Sequence, residues 1–175
     1  MSPNHATDRP PSIAAANGRV FATFPAAVVV PIVNQEEKFL LLESQRQPGL
    51  WEPVNGAVDG GETLLEAALR EVREEAGHHV RVRPLGVVHA STFEYDARVR
   101  RMISVVFLMA HEGGAAVPGD DMRGSAVRWA SLRAIESDGL RLLPPLDQEW
   151  LRRRTMDLFR VWQAEPPRRL QAGAE

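Results

Sequence analysis

Two short runs of the chain, AAVVVPIV from Ala26 to Val33 and FLLLES from Phe39 to Ser44, are apolar, β-branched or leucine-rich. They predict two strands, and the polar NQEEK between them predicts the turn that joins them. Pro31 places an edge or a bulge in the first strand, because proline brings no N–H to a ladder. A third run, MISVVFLMAH from Met102 to His111, is continuous enough to predict a strand buried on both faces. HHVRVRPLGVVHASTFEY before it alternates apolar with polar residues, as a solvated strand does, and EYDARVRR is the expected hairpin connection.

Between the strands, QRQPGLWEPVNGAVDGGE carries the glycines, prolines and asparagine of a loop, with a short strand around Trp51 to Val54. A helix of about 14 residues follows. Glu62 or Thr63 can start it, alanine and leucine sustain it, and Gly77 is placed to cap its end. Further on, EGGAAVPGDDMRGS is long for a plain connection and reads as a functional loop. AVRWAS is the last expected strand and SLRAIES a short helix. LDQEWLRRRTMDLFRVWQ reads as a terminal amphipathic helix with Leu146, Trp150, Leu151, Leu158, Val161 and Trp162 near one side. Strands on both sides of a helix predict an α+β or layered α/β/α domain with a mixed sheet.

At 175 residues the chain has the length of one domain. Residues 1–20, rich in proline at their start, are expected to form a flexible leader, 21–163 the domain, and 164–175 a flexible tail. The longest apolar run is too short to span a bilayer, which points to a cytoplasmic protein with no membrane partner. A formal net charge of -2 argues against nucleic-acid binding by bulk electrostatics. With no cysteine, thiolate metal sites and cysteine nucleophiles are excluded, so any metal is held by oxygen or histidine. His78, His79 and His89 show no ligand spacing with the glutamates and are read as structural. The terminal helix leaves a homodimer open.

The chemistry concentrates in GAVDGGETLLEAALREVREEAG, Gly56 to Gly77. At about 100° per residue, Leu65, Ala68, Leu69, Val72 and Ala76 share one arc of the helix, and Glu71, Glu74 and Glu75 the neighbouring one. Like charges at these spacings repel. The three carboxylates can converge just off the helix surface, where magnesium or manganese, which prefers carboxylate and water oxygens, would compensate them. Read from the helix alone, a solvated acidic face with Arg70 and Arg73 as surface partners explains the same residues.

Gly56, Glu62, Arg70, Glu71, Val72, Glu74, Glu75 and Gly77, at these spacings, resemble the motif of the Nudix (MutT-like) hydrolases. One position departs: His78 stands where the family has an aliphatic residue. The resemblance implies a Nudix-type α/β/α sandwich, Mg2+ (or Mn2+) as cofactor, and cleavage of a nucleoside diphosphate linked to another moiety. It implies that Glu71, Glu74 and Glu75, with the main-chain carbonyl of Asn55, hold the metal. Glu62 and Arg70, with Gly56 and Gly77, would support the motif. For the general base it offers Glu71 or Glu74 on the helix, or Asp120 and Asp121 on the glycine-rich loop, with Glu112 more remote.

The lead-in from Trp51 to Gly56 is similar to that of the dihydroneopterin triphosphate and dATP pyrophosphohydrolases, which makes a pterin or nucleoside triphosphate the first expected substrate and ADP-ribose the alternative. Arg46, Arg98 and Arg100 are expected near the open side, where arginine can contact phosphates. Trp51, Phe93 and Tyr95 could stack on a base. A silent nucleotide-binding domain of the same family would usually lose motif glutamates, and all are present here.

Overall fold

The computed structural model describes residues 11–164. Two short strands, β1 (Ser12–Ala14) and β2 (Val20–Ala22), pair antiparallel as an exposed hairpin. Part of the expected flexible leader is therefore ordered as a hairpin; residues 1–10 and the expected tail beyond 164 lie outside the described residues. Next come β3 (Ala26–Val30) and β4 (Ile32–Val33), separated at Pro31, then β5 (Phe39–Glu43), β6 (Trp51–Glu52) and β7 (Val54–Ala57). Helix α1 (Leu64–Glu71) continues into a π-helical turn, Val72–Ala76. Two long strands follow, β8 (Arg81–Phe93) and β9 (Met102–Gly113). After a short helical turn at Asp120–Met122 come β10 (Val127–Ala130), α2 (Leu132–Ser137) and α3 (Glu149–Ala164).

Strands β3 to β10 form one mixed sheet with the order β10-β5-β4-β9-β3-β7; β6 is added on β5 and β8 on β9. β9 runs parallel to β3 and β4 and antiparallel to β8. The uninterrupted apolar runs have a simple cause. Val28, Val30, Leu40, Leu42, Val105, Phe107 and Met109 face one way and pack with Ala67, Ala68, Val72 and Ala76 of α1 and its continuation. Val29, Phe39, Leu41, Val106, Leu108 and Ala110 face the other way, against Leu151, Met156 and Phe159 of α3. Where both faces of the sheet are covered the positions are apolar, and each fully buried side chain of this size contributes about 1.5–3 kcal/mol. This is the expected α+β fold with helices on both faces of a mixed sheet.

Helix α3 differs from its expected face. Trp150 and Val161 are exposed, at 51% and 58%, while Leu151, Arg152, Thr155, Met156 and Phe159 are buried. Arg152 is buried because its guanidinium donates to the carbonyls of Leu146 and Asp147, which ties the chain just before the helix to its first turn. Leu146, counted with the helix from sequence, is core but precedes it.

Candidate active site

Thr63 caps α1: its hydroxyl accepts from the Glu66 N–H while the Glu66 carboxylate accepts from the Thr63 N–H, a reciprocal capping box. The helix thus starts at a defined residue, and its apolar arc docks on the sheet. Glu71 and Glu75 are carried to the edge strand β7. Both are buried, at 8% and 9% exposure. The Asn55 N–H donates to Glu75 Oε2 at 2.9 Å. Gly56 lies so close to Glu71 that a Cβ there would stand 1.9 Å from Oε1. Residue 56 has to be glycine for Glu71 to sit where it does.

Arg70 organises the rest of the motif. Its Nε and Nη2 donate to Glu62 at 2.7 and 3.1 Å, Nη2 also to the Ala57 carbonyl at 2.8 Å, and Nη1 to Glu71 and Glu74 at 2.8 and 2.9 Å. The guanidinium has five N–H donors, and these contacts occupy them. In consequence the Glu62 carboxyl is held below the usual carboxylate range, chiefly by its hydrogen bond from Arg70, and Arg70 is held more firmly protonated by Glu62 first and by Glu71 and Glu74 after it.

At its C-terminal end the motif is fastened by the loop after β9. Gly77 adopts φ 103°, and a Cβ there would lie 2.4 Å from the Val117 carbonyl oxygen. The Val117 N–H donates to the Ala76 carbonyl at 2.9 Å. Asp120 opens the following helical turn, exposed and with φ 45°. Asp121 shares that turn, and its side chain lies outside the described part of the structure.

A cleft of about 690 Å³ opens beside β7. Asn55, Gly56, Glu71 and Glu75 line it, together with Arg46 and, among residues the sequence did not single out, Glu52, Gln45 and Ser104. Glu52 accepts a hydrogen bond from the Asn55 carboxamide at 3.2 Å, and that amide also donates to the Pro53 carbonyl. The three-residue spacing of Glu52 and Asn55 across Pro53 was the signal for this pair, obscured because β6 and β7 are separate short strands. Phe93 and Tyr95 border the cleft, whereas Trp51 packs against the core on the α3 side of the sheet and does not line it. Arg98 and Arg100 are exposed on the β8–β9 connection beside Tyr95 and Val99, outside the lining. Glu74 reaches Arg70 rather than the cleft, and Glu112 pairs with Arg83 at 2.9 Å, also outside it.

Among the described residues no three acidic or imidazole side chains converge into a ready cation cage. The donor set nonetheless fits a hard divalent cation. Glu71, Glu74 and Glu75 outnumber the single guanidinium between them, all donors are oxygen, and such ions are commonly bound by one or two carboxylates completed by substrate phosphates.

Comparison with known proteins agrees with this geometry. Residues 23–157 match the model of the NUDIX domain. The chain is 36% identical over 101 residues to an ADP-ribose pyrophosphatase of Methanocaldococcus jannaschii, covering 57% of this chain and 59% of that protein. It is 42% identical over 52 residues to the dihydroneopterin triphosphate diphosphatase of Escherichia coli K12, covering 29% of this chain and 35% of that one. These matches span 59% and 35% of the relatives' own length, less than two thirds of either. Among solved structures, an ADP-ribose pyrophosphatase of Streptococcus suis is similar over 79% of this chain and 93% of its own, with TM-score 0.60 and 22% identity. The E. coli dihydroneopterin triphosphate pyrophosphohydrolase gives 0.53, 22% identity and coverage of 79% and 98%. At that identity the likeness concerns the fold. The fold and the motif define a Nudix domain, and the chain belongs to the Nudix family.

Proposed function

We propose that this protein hydrolyses the pyrophosphate bond of a nucleoside diphosphate linked to another moiety, with magnesium or manganese as cofactor. The observation that carries this reading is that Glu71 and Glu75 line the cleft, Glu71 against Gly56 and held by Arg70. Glu71, Glu74 and Glu75, with the Asn55 carbonyl, would hold the cation, which when bound neutralises phosphate charge and activates water. Arg70 and Glu62 keep the first two carboxylates oriented before substrate arrives. Arg46, in the cleft lining, is the arginine that would meet a phosphate there; Arg98 and Arg100 lie outside that lining.

Proton removal falls to the helix, through Glu71 or Glu74, or to the docked loop, through Asp120 or Asp121. The variant whose kcat profile loses its acidic limb identifies the base. A pterin or nucleoside triphosphate is the substrate class favoured by the lead-in from Trp51 to Gly56. ADP-ribose is the second reading, favoured by the longer match to the archaeal pyrophosphatase.

A panel of nucleoside triphosphates, dihydroneopterin triphosphate, ADP-ribose and dinucleoside polyphosphates, assayed with magnesium and with product identification, tests the proposal. Cleavage of one compound, lost in Glu71→Gln, supports it. A ligand that raises the melting temperature without being cleaved would put a silent binding domain in its place. No helix among the described residues is long and apolar enough to cross a membrane. Under this reading the enzyme works in the cytoplasm on a small molecule, and sizing chromatography tests whether it does so as a homodimer.

A further inference from the structure

Helix α2 ends in a tight reversal. Gly139 adopts φ 62°, the Leu140 N–H donates to the Ile135 carbonyl at 3.0 Å and the Gly139 N–H to that of Glu136 at 3.3 Å. The chain doubles back, and the last carbonyls of the helix are occupied. Leu142 then bridges to Trp51, and the segment runs on to α3. Between the end of α2, this returning segment and the first turn of α3 lies a pocket of about 440 Å³. It shares no lining residue with the cleft.

Ile135, Leu140 and Leu142 supply the apolar part of the lining, and Arg152, 9% exposed, its one buried charge. The Arg152 Nη1 donates to the carbonyls of Leu146 and Asp147, both at 2.7 Å. Nε and Nη2 make no hydrogen bond with a described residue. They are not sealed in either: among the described residues the one enclosed side-chain polar atom without a partner is Ser44 Oγ. The Nε–H and one Nη2–H of an arginine point the same way and form the edge that takes two oxygens of a single carboxylate or phosphate. Here that edge is open, while the other end of the same guanidinium is fastened to the backbone.

The remaining charges of the lining sit at its rim. Arg141 is exposed, with its Nη2 3.5 Å from the place of a Cβ on Gly49, and adds positive field. Glu136 and Asp147 oppose it. Both are exposed; Glu136 pairs with Arg153 at 3.5 Å, and the Asp147 carboxylate accepts from the Gln148 amide at 3.2 Å. Water and salt screen charges at such positions far more than a buried one, so the sign of the pocket is set by Arg152.

We propose that this pocket binds a small organic anion, one carboxylate or phosphate group resting on the Nε–Nη2 edge of Arg152 and an apolar body lying against Ile135, Leu140 and Leu142. The site is separate from the cleft and does not depend on the hydrolase reading. It is nevertheless joined to the cleft through the chain. Leu142 and Asp147 line the pocket, whereas Pro144 and Pro145, between them in sequence, line the cleft. An occupant of the pocket therefore bears on the same short segment that walls the larger site.

The test measures binding and needs no turnover. Benzoate, phenyl phosphate and the neutral benzamide are titrated against the full chain, in chelator, by ligand-observed NMR. At least one of the two anions is expected to bind saturably, which also tells carboxylate from phosphate, and benzamide is expected not to. Arg152→Lys keeps the charge but loses the fork, and should weaken binding about tenfold. Arg141→Glu, an exposed change that leaves the Arg152 contacts in place, should weaken it about fivefold and keeps the result readable if Arg152→Lys folds poorly. Arg46→Ala, in the cleft, should leave it unchanged. No saturable binding of either anion, equal binding of benzamide, or binding unmoved in Arg141→Glu or in a folded Arg152→Lys overturns the site. Loss of binding in Arg46→Ala does so too, by placing the anion in the cleft.

Discussion

The carboxylate of Glu71 fills the space where a side chain at residue 56 would begin, with Oε1 only 1.9 Å from the place of a Cβ on Gly56. Gly56→Ala therefore displaces Glu71, the mobile end of a side chain, more than it disturbs the backbone. The expected outcome is a folded protein with a modestly lower melting temperature and a loss of turnover of about 10²-fold, the usual result of misplacing a reacting group by an ångström. Circular dichroism beside kcat/KM checks it, and unchanged turnover would mean that the position of Glu71 is not critical.

Arg70 uses a planar fork to hold two chain segments and three carboxylates, and lysine cannot reproduce that geometry. Arg70→Lys is expected to lower the urea midpoint and turnover together. Arg73→Lys, on the exposed side of the same helix, is the control and should change neither.

Glu62 ties stability to pH. Its folded-state pKa lies below the ordinary value of 4.5 because Arg70 donates to it, so the unfolded chain takes up this proton first as pH falls. The stabilisation is complete above the unfolded pKa and is lost as pH drops through the folded one. Between pH 6 and pH 3 the urea midpoint of the wild type should fall further than that of Glu62→Gln. Parallel curves would show that the pair contributes nothing measurable.

Cation binding to Glu71 and Glu75 should register as stability even without substrate. Magnesium at a hundred times its Kd adds about 2.7 kcal/mol, roughly 5–10 °C in Tm for a chain of this size. Glu71→Gln and Glu75→Gln are expected to shrink that rise, and Glu71→Gln to be at least as stable as wild type in chelator, since it removes one of the crowded charges. An equal magnesium shift in all three proteins would locate the ion elsewhere.

Much of this was legible in the sequence for a physical reason. The strands at Val28, Leu41 and Phe107 are covered on both faces, so their runs are apolar apart from Ser104; Thr63 was one of the two starts that the sequence offered for the helix, and Gly77 marked its end. Terminal helix α3 was harder, because Trp150 is large and apolar yet exposed, while Arg152 is charged yet buried through two carbonyl contacts that only the fold supplies. The convergence of three glutamates was also only partly visible beforehand: spacing put Glu74 beside the others, but Arg70 draws it away from the cleft.

The hydrogen bond from Val117 to Ala76, and the close approach of Gly77 to the Val117 carbonyl, bear on how portable the motif is. The stretch from Gly56 to Gly77 looks like a cassette when read along the chain, yet its last turn is clasped by a residue 40 positions further on. Grafted alone onto another scaffold, it would arrive without its clasp.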